Sequence, residues 1–130
     1  MKTGIIFLVA VLFSACTYSQ TVTKITAEEA YAFLSDTTDR HYILIDGRTT
    51  DMFNAGHIKQ AIQINAYKEN ADSLLQEYIV SDTLVIYCTS QNRSLRLIER
   101  LQALSYIGSV IYIGDGIRAW KEHGYSLDSE

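Results

Sequence analysis

The stretch Thr83-Leu84-Val85-Ile86-Tyr87-Cys88-Thr89-Ser90-Gln91-Asn92-Arg93-Ser94 decides how the rest of the chain is read. Its first half is a continuous apolar run with polar borders, the pattern of a strand buried on both faces. Its second half turns polar at Cys88 and leads into Leu97, Leu101 and Leu104, apolar positions at helical spacing. A strand that stops at a cysteine and bends into a helix start brings several backbone N–H groups to one place. That bend, at the positive end of a helix dipole, favours a thiolate and any anion brought to it. Arg93 acts in the same direction.

Working outward, short β-rich runs alternate with amphipathic stretches. Residues 22–25 read as a strand, and Thr26-Ala27-Glu28-Glu29 as a capping box. Ala27, Ala30, Tyr31 and Leu34 then give one apolar helical face. Residues 42–45 form a strand ending at Asp46-Gly47-Arg48, followed by a short helix over Thr50–Ala55 that stops at Gly56. A brief strand is expected at 62–64 and a helix with Ala71, Leu74, Leu75 and Tyr78 inward. After the central strand comes a helix over 93–104, a strand over 110–113, the turn Gly114-Asp115-Gly116, and a helix over 117–123 stopped by Gly124. Apolar strands separated by helices predict an α/β fold: a mostly parallel central sheet covered on both sides. Ligands of such sheets sit beyond the carboxyl ends of the strands. Three strand exits carry polar punctuation (46–48, 88–93 and 114–116), and if their strands are neighbours, Cys88 lies at the floor of one cleft.

The first fifteen residues read as something other than fold. A cationic start, Met1-Lys2-Thr3, precedes an apolar stretch over 4–13 and then Ser14-Ala15-Cys16. That stretch is about half the ~20 residues a spanning helix needs, so it reads as a signal h-region. Small residues before a cysteine resemble the lipobox of bacterial lipoproteins, with Phe13 where leucine is usual. The expectation is a signal peptide over 1–15, a lipidated Cys16 opening a tether over 16–21, and a domain over 22–130. An ordinary secretory signal cut nearby is the alternative. Either way the mature protein is expected to be exported; with Cys16 lipidated, it is expected in the bacterial cell envelope, lipid-anchored and facing the periplasm.

Composition narrows the function classes. The chain of 130 residues carries 11 basic and 15 acidic residues, for a net charge of −4. Loss of Lys2 with the leader makes the balance −5. That argues against nucleic acid, and it leaves the lipid anchor as the only hold on a membrane. With Cys16 lipidated, Cys88 is the single remaining thiol, so its reason is packing or reactivity; a Cys16–Cys88 bridge would tie a flexible leader to a buried loop. His41, His57 and His123 show no ligand spacing with Cys88, so no metal site is expected.

Two blocks of residues carry a family resemblance. The first is Leu44-Ile45-Asp46-Gly47-Arg48 with Phe53, Ala55-Gly56-His57-Ile58, Ala61-Ile62 and Asn65. The second is Ile86-Tyr87-Cys88, Asn92-Arg93-Ser94, Val110, Gly114-Asp115-Gly116-Ile117, Ala119-Trp120 and Gly124-Tyr125. In this order over residues 22–127 they resemble a rhodanese-like domain, a three-layer sandwich whose members carry sulfane sulfur as a cysteine persulfide. The resemblance implies a thiosulfate sulfurtransferase in which Cys88 takes the sulfur and Thr89, Ser90, Gln91, Asn92 and Arg93 form its cradle. It implies no cofactor. The partners would be a small sulfur donor, a thiol or cyanide acceptor, and an acceptor protein as a further possibility. Asp46 and Arg48 would border the loop as supports. Gln91, Lys59-Gln60 and Asp115 depart from residues common in the family, a glycine, Pro-Gly and a glycine respectively.

Other readings stay open at this point. A lone cysteine is often a small buried hydrophobe. The fold also serves binding or redox-sensing modules without turnover, and cysteine-dependent phosphatases. The latter place five residues between Cys and Arg, whereas four lie here, a ring tighter than a phosphate wants. Arg96 and Arg100 read as a solvated helix face with Glu99 nearby, His57 as a structural hydrogen-bonder, and Trp120 with Ile117 as core.

Overall fold

Strand β4 (Thr83–Tyr87) runs through the middle of a five-stranded sheet, where its four residues from Leu84 to Tyr87 are all 0% exposed. From one edge to the other the order is β1 (Thr21–Ile25), β5 (Ser109–Ile113), β4, β2 (Ile43–Asp46) and β3 (Ile62–Gln63). Every pairing within it is parallel. The computed structural model describes residues 17, 19–36, 38 and 41–130. The expected leader and Cys16 lie outside these residues.

The period-two alternation of β4 explains the three layers. Leu84 and Ile86 point to one face, where they pack with Leu75 of α3 (Ala71–Tyr78) and with Leu97 and Leu101 of α4 (Asn92–Ala103). Val85 and Tyr87 point to the other, against Ala27 and Ala30 of α1 (Ala27–Ser35) and Ile117 and Trp120 of α5 (Gly116–Glu122). The remaining helix, α2 (Thr50–Ala55), follows β2. Each fully buried aliphatic of these two clusters contributes about 1.5–3 kcal/mol relative to exposure. This is the expected α/β sandwich, with a sheet that is parallel throughout.

Local signals act as their residue types dictate. The Thr26 hydroxyl accepts from the Glu29 amide at 3.1 Å, and the Glu29 carboxylate accepts from the Thr26 amide at 2.8 Å, closing the capping box. Two expectations are corrected. Tyr31 is 43% exposed, because Ala27 and Ala30, with Phe33 and Leu34 packed beside them, form the face of α1 on the core; its ring stacks on Tyr125 at 3.9 Å. Arg100 is no solvated residue: its guanidinium donates to the Ala66 and Lys68 carbonyls and pairs with Asp72 at 2.8 Å, tying α4 to the segment before α3. Arg96 does pair with Glu99 along the exposed face of α4.

Strand order fixes where a ligand can sit. From β2 the chain moves outward to β3, whereas from β4 it moves the other way to β5. The crevice between these diverging connections lies at the carboxyl ends of β2 and β4. Those ends are Asp46 and Tyr87, the latter directly before Cys88. Among the described residues, no helix is long and apolar enough to cross a membrane.

Candidate functional site

The turn after β4 is held from outside by its carbonyls. Ile117 donates its amide to the Cys88 carbonyl at 2.9 Å, and Arg118 donates to the Thr89 carbonyl at 3.3 Å. Gly116 makes this approach possible: its φ is +67°, and a side chain there would collide with the Thr89 and Cys88 carbonyls. Both carbonyls are thus tied to the start of α5. On the other side, no described residue accepts a hydrogen bond from the amides of Thr89, Ser90, Gln91, Asn92 or Arg93. Five consecutive donors at the start of α4 are left available to an anion.

Cys88 is a free thiol, 1% exposed, and it belongs to neither of the two apolar clusters. Burial alone would suit a small hydrophobe. Its place at the end of β4, directly before five amides that no described residue accepts from, suits an enclosed sulfur anion. In the first turn of α4, Ser94 is 0% exposed with its Oγ unpartnered among the described residues, and the buried Nε of Arg93 likewise has no partner there. An unsatisfied buried polar group costs about 1–3 kcal/mol, so two together mark a place where something polar is received. The Arg93 guanidinium lies 5.7 Å from the centroid of the Tyr67 ring, a cation–π contact that holds its outer end.

Asp46 and Arg48 meet in a buried fork at the end of β2. Arg48 Nε and Nη2 donate to the Asp46 carboxylate at 2.7 to 3.1 Å, and Nη2 also donates to the Gly56 carbonyl at 2.6 Å. Burial by itself would lower the Arg48 pKa; the hydrogen bonds and charge of Asp46 outweigh it and the net direction is up. The Tyr87 phenol, which accepts from the Ile58 amide at 3.0 Å, is pushed far above its ordinary value by burial and then by the Asp46 carboxylate. Gly47 joins this fork to the turn: its amide donates to the Tyr87 carbonyl at 2.8 Å, and Arg93 Cβ lies 3.5 Å from where its own Cβ would be.

The two unusual residues at the rim have their own partners. Gln91 Oε1 accepts from Lys24 Nζ at 3.4 Å, and Asp115 Oδ1 accepts from the Ala27 amide at 2.8 Å. His57 is buried, stacked on Phe53 at 3.8 Å, with Nδ1 at 2.9 Å from the Phe53 carbonyl. Its backbone pairs with Asp128. The fold therefore brings the 46–48, 88–93 and 114–116 exits together, and it adds Ser94, Tyr67, Lys24 and the amides of Ile117 and Arg118. The buried serine directly after Arg93 is the one of these that the local pattern could have flagged. The others depend on contacts between segments far apart in sequence. Among the described residues, no group of three or more His, Cys, Asp or Glu side chains could hold a metal ion.

A family model described as "Rhodanese-like domain" matches residues 26–123. A curated relative from Synechocystis sp., an uncharacterized protein, is 33% identical over 82 residues, which is 63% of this chain and 44% of the relative. The chain therefore spans less than half the length of that relative. Among solved structures, a rhodanese-like domain protein from Staphylococcus aureus superposes with a TM-score of 0.67 at 24% identity, covering 83% of this chain and 98% of that one. A thiosulfate sulfurtransferase from Pseudomonas aeruginosa superposes with a TM-score of 0.69 at 19% identity, covering 83% of this chain and 20% of that one. At these identities the likeness is one of fold.

Proposed function

The chain belongs to the rhodanese-like domain family, and from that premise we propose that it is a sulfurtransferase working through a persulfide on Cys88. The Cys88 thiolate attacks the outer sulfur of thiosulfate. A new S–S bond forms to Sγ, the S–S bond of the donor breaks, and sulfite leaves with the electron pair. The Cys88 persulfide anion then sits among the amides of Thr89, Ser90, Gln91, Asn92 and Arg93. An acceptor thiolate attacks the outer sulfur of the protonated persulfide and leaves Cys88 as thiolate. No step needs an external oxidant or reductant. Asp46 and Arg48 act as supports that fix the end of β2 against the turn.

The observation that carries this reading is the polarity of the turn. Its first two carbonyls are bound on the outside by α5, while five successive amides have no acceptor among the described residues. Donors fixed in place before charge arrives stabilise an anion without reorganising. The Ser94 hydroxyl and Arg93 Nε, buried and without a partner among the described residues, support a polar guest at the start of α4. The test is intact mass after incubation with thiosulfate. One added sulfur on the wild type and none on Cys88→Ser is the expected result; an unchanged wild-type mass rejects the proposal.

One observation favours a second reading. The 1% exposure of Cys88 suits a binding module that keeps the fold without turnover. A wild type that stays sulfur-free yet captures a specific protein partner would select that reading. The leader supports an exported, lipid-anchored location at the cell envelope. Incorporation of labelled palmitate that disappears in Cys16→Ala tests it.

A further inference from the structure

Beside the turn, on the side of α2 and α5, lies a cleft of 440 Å³ that takes in Thr89 of the proposed cradle. Its apolar lining is Met52 and Ile117. Its charged lining is Arg118 and Lys121, one helical turn apart on α5, with Glu122 as the acidic member. Arg48 also contributes, but its guanidinium is already bound to Asp46 and Gly56. Neither Arg118 nor Lys121 is in an ion pair among the described residues.

Size and charge together specify a ligand class. Thiosulfate or cyanide fills a small part of such a cleft, whereas small organic ligands occupy clefts of about 300–1,000 Å³. A chain with net charge −4 that keeps two unpaired cations next to the proposed sulfur site is arranged for an anion there. We propose that this cleft is the acceptor subsite and takes a low-molecular thiol bearing a carboxylate. The carboxylate lies against Arg118 and Lys121, the methylene chain against Met52 and Ile117, and the thiol toward Thr89 and the sulfur. Transfer is the step written above: the acceptor thiolate forms a bond to the outer sulfur, the persulfide S–S bond breaks, and Cys88 keeps the electron pair. This assignment rests on the sulfurtransferase reading for the reaction, but not for the binding.

The experiment has two arms on the full chain. In the first, Cys88 is loaded with thiosulfate, loading is verified by mass, and discharge to 3-mercaptopropionate and to 2-mercaptoethanol is followed. The ratio of the two KM values should shift by about fivefold against the carboxylate thiol in the double variant Arg118→Ala/Lys121→Ala. It should shift the opposite way in Glu122→Gln. In the second arm, 3-(methylthio)propionate and 2-(methylthio)ethanol, which cannot react, are titrated into Cys88→Ser by NMR. The amides of Met52, Thr89, Arg118 and Lys121 should move with the carboxylate compound at lower concentration. An unaltered KM ratio in the variants, discharge to protein thiols only, or no carboxylate preference in the titration overturns the subsite. A wild type that takes up no sulfur defeats the sulfurtransferase reading, and the titration then decides the subsite alone.

Discussion

The amide of Ile117 donates to the carbonyl of Cys88 at 2.9 Å, so the cysteine's backbone is held by the first turn of α5. The contact exists because Gly116 adopts a positive φ where any side chain would strike the Thr89 carbonyl. Gly116→Ala should therefore disturb the turn directly. A left-handed non-glycine residue costs about 1–2 kcal/mol, and the collision adds to that. The expected outcome is a lower urea midpoint together with at least a tenfold slower loading of Cys88, read by mass.

The buried thiol should discriminate reagents by size. With Cys88 1% exposed beneath its turn, iodoacetamide should label it faster than a bulky maleimide once each rate is divided by that of free cysteine. Equal normalised rates would mean the turn does not enclose the sulfur.

Removing half of the fork at the end of β2 leaves a buried charge unpaired. Asp46→Asn keeps the shape but strands the Arg48 guanidinium, which is 3% exposed. Loss of one partner of a buried pair costs about 3–5 kcal/mol. Equilibrium urea unfolding should register a loss of that order, with sulfur loading falling at temperatures where the variant is still folded.

Alkaline stability should depend on Tyr106. Its hydroxyl donates to the Ser81 carbonyl at 2.9 Å, and burial, with the nearby Asp82 carboxylate, pushes the phenol from 10.0 up to about 12. A phenol harder to ionise in the folded state leaves stability intact below pH 10. Stability is then lost as pH rises toward 12, because the unfolded chain ionises first. Tyr106→Phe should flatten part of this fall between pH 10 and 12. Tyr87, also pushed up, should retain the remainder. Urea midpoints at pH 8, 10 and 11 provide the check.

Asp115 should matter to α1 although α1 begins far away in sequence. Its carboxylate accepts from the Ala27 amide at 2.8 Å, supplementing the Thr26 cap. Asp115→Ala should cost about 0.5–2 kcal/mol, the usual range for losing a helix cap, as a lower thermal midpoint. An unshifted midpoint would mean the Thr26 capping box is sufficient.

The architecture was legible wherever a local pattern carried it. The run Thr83–Tyr87 could be placed as the central strand because only a strand covered on both faces can be apolar at successive positions. Thr26 and Glu29 announced a helix start because both halves of the cap lie within one turn. The cysteine at the strand exit located the candidate site for the same reason. What escaped depends on partners distant in sequence. Nothing near Arg100 tells that the Ala66 and Lys68 carbonyls await it, and nothing near Asp115 points to Ala27. Tyr31 fits an apolar helical stripe in sequence, yet α1 meets the core through Ala27 and Ala30 with Phe33 and Leu34, and the Tyr31 ring lies against Tyr125. Ser94, three residues before Leu97 and seven before Leu101, lies on the apolar stripe of α4, so its burial was open to a local reading.

The pairing of β1 with β5, Thr21 opposite Ser109 and Ile25 opposite Ile113, bears on how this protein is made. Of the five strands described, β1 emerges from the ribosome first and its neighbour β5 last, and such sequence-distant parallel pairings close slowly. Until then the newborn polypeptide lacks a complete sheet and remains open to chaperones.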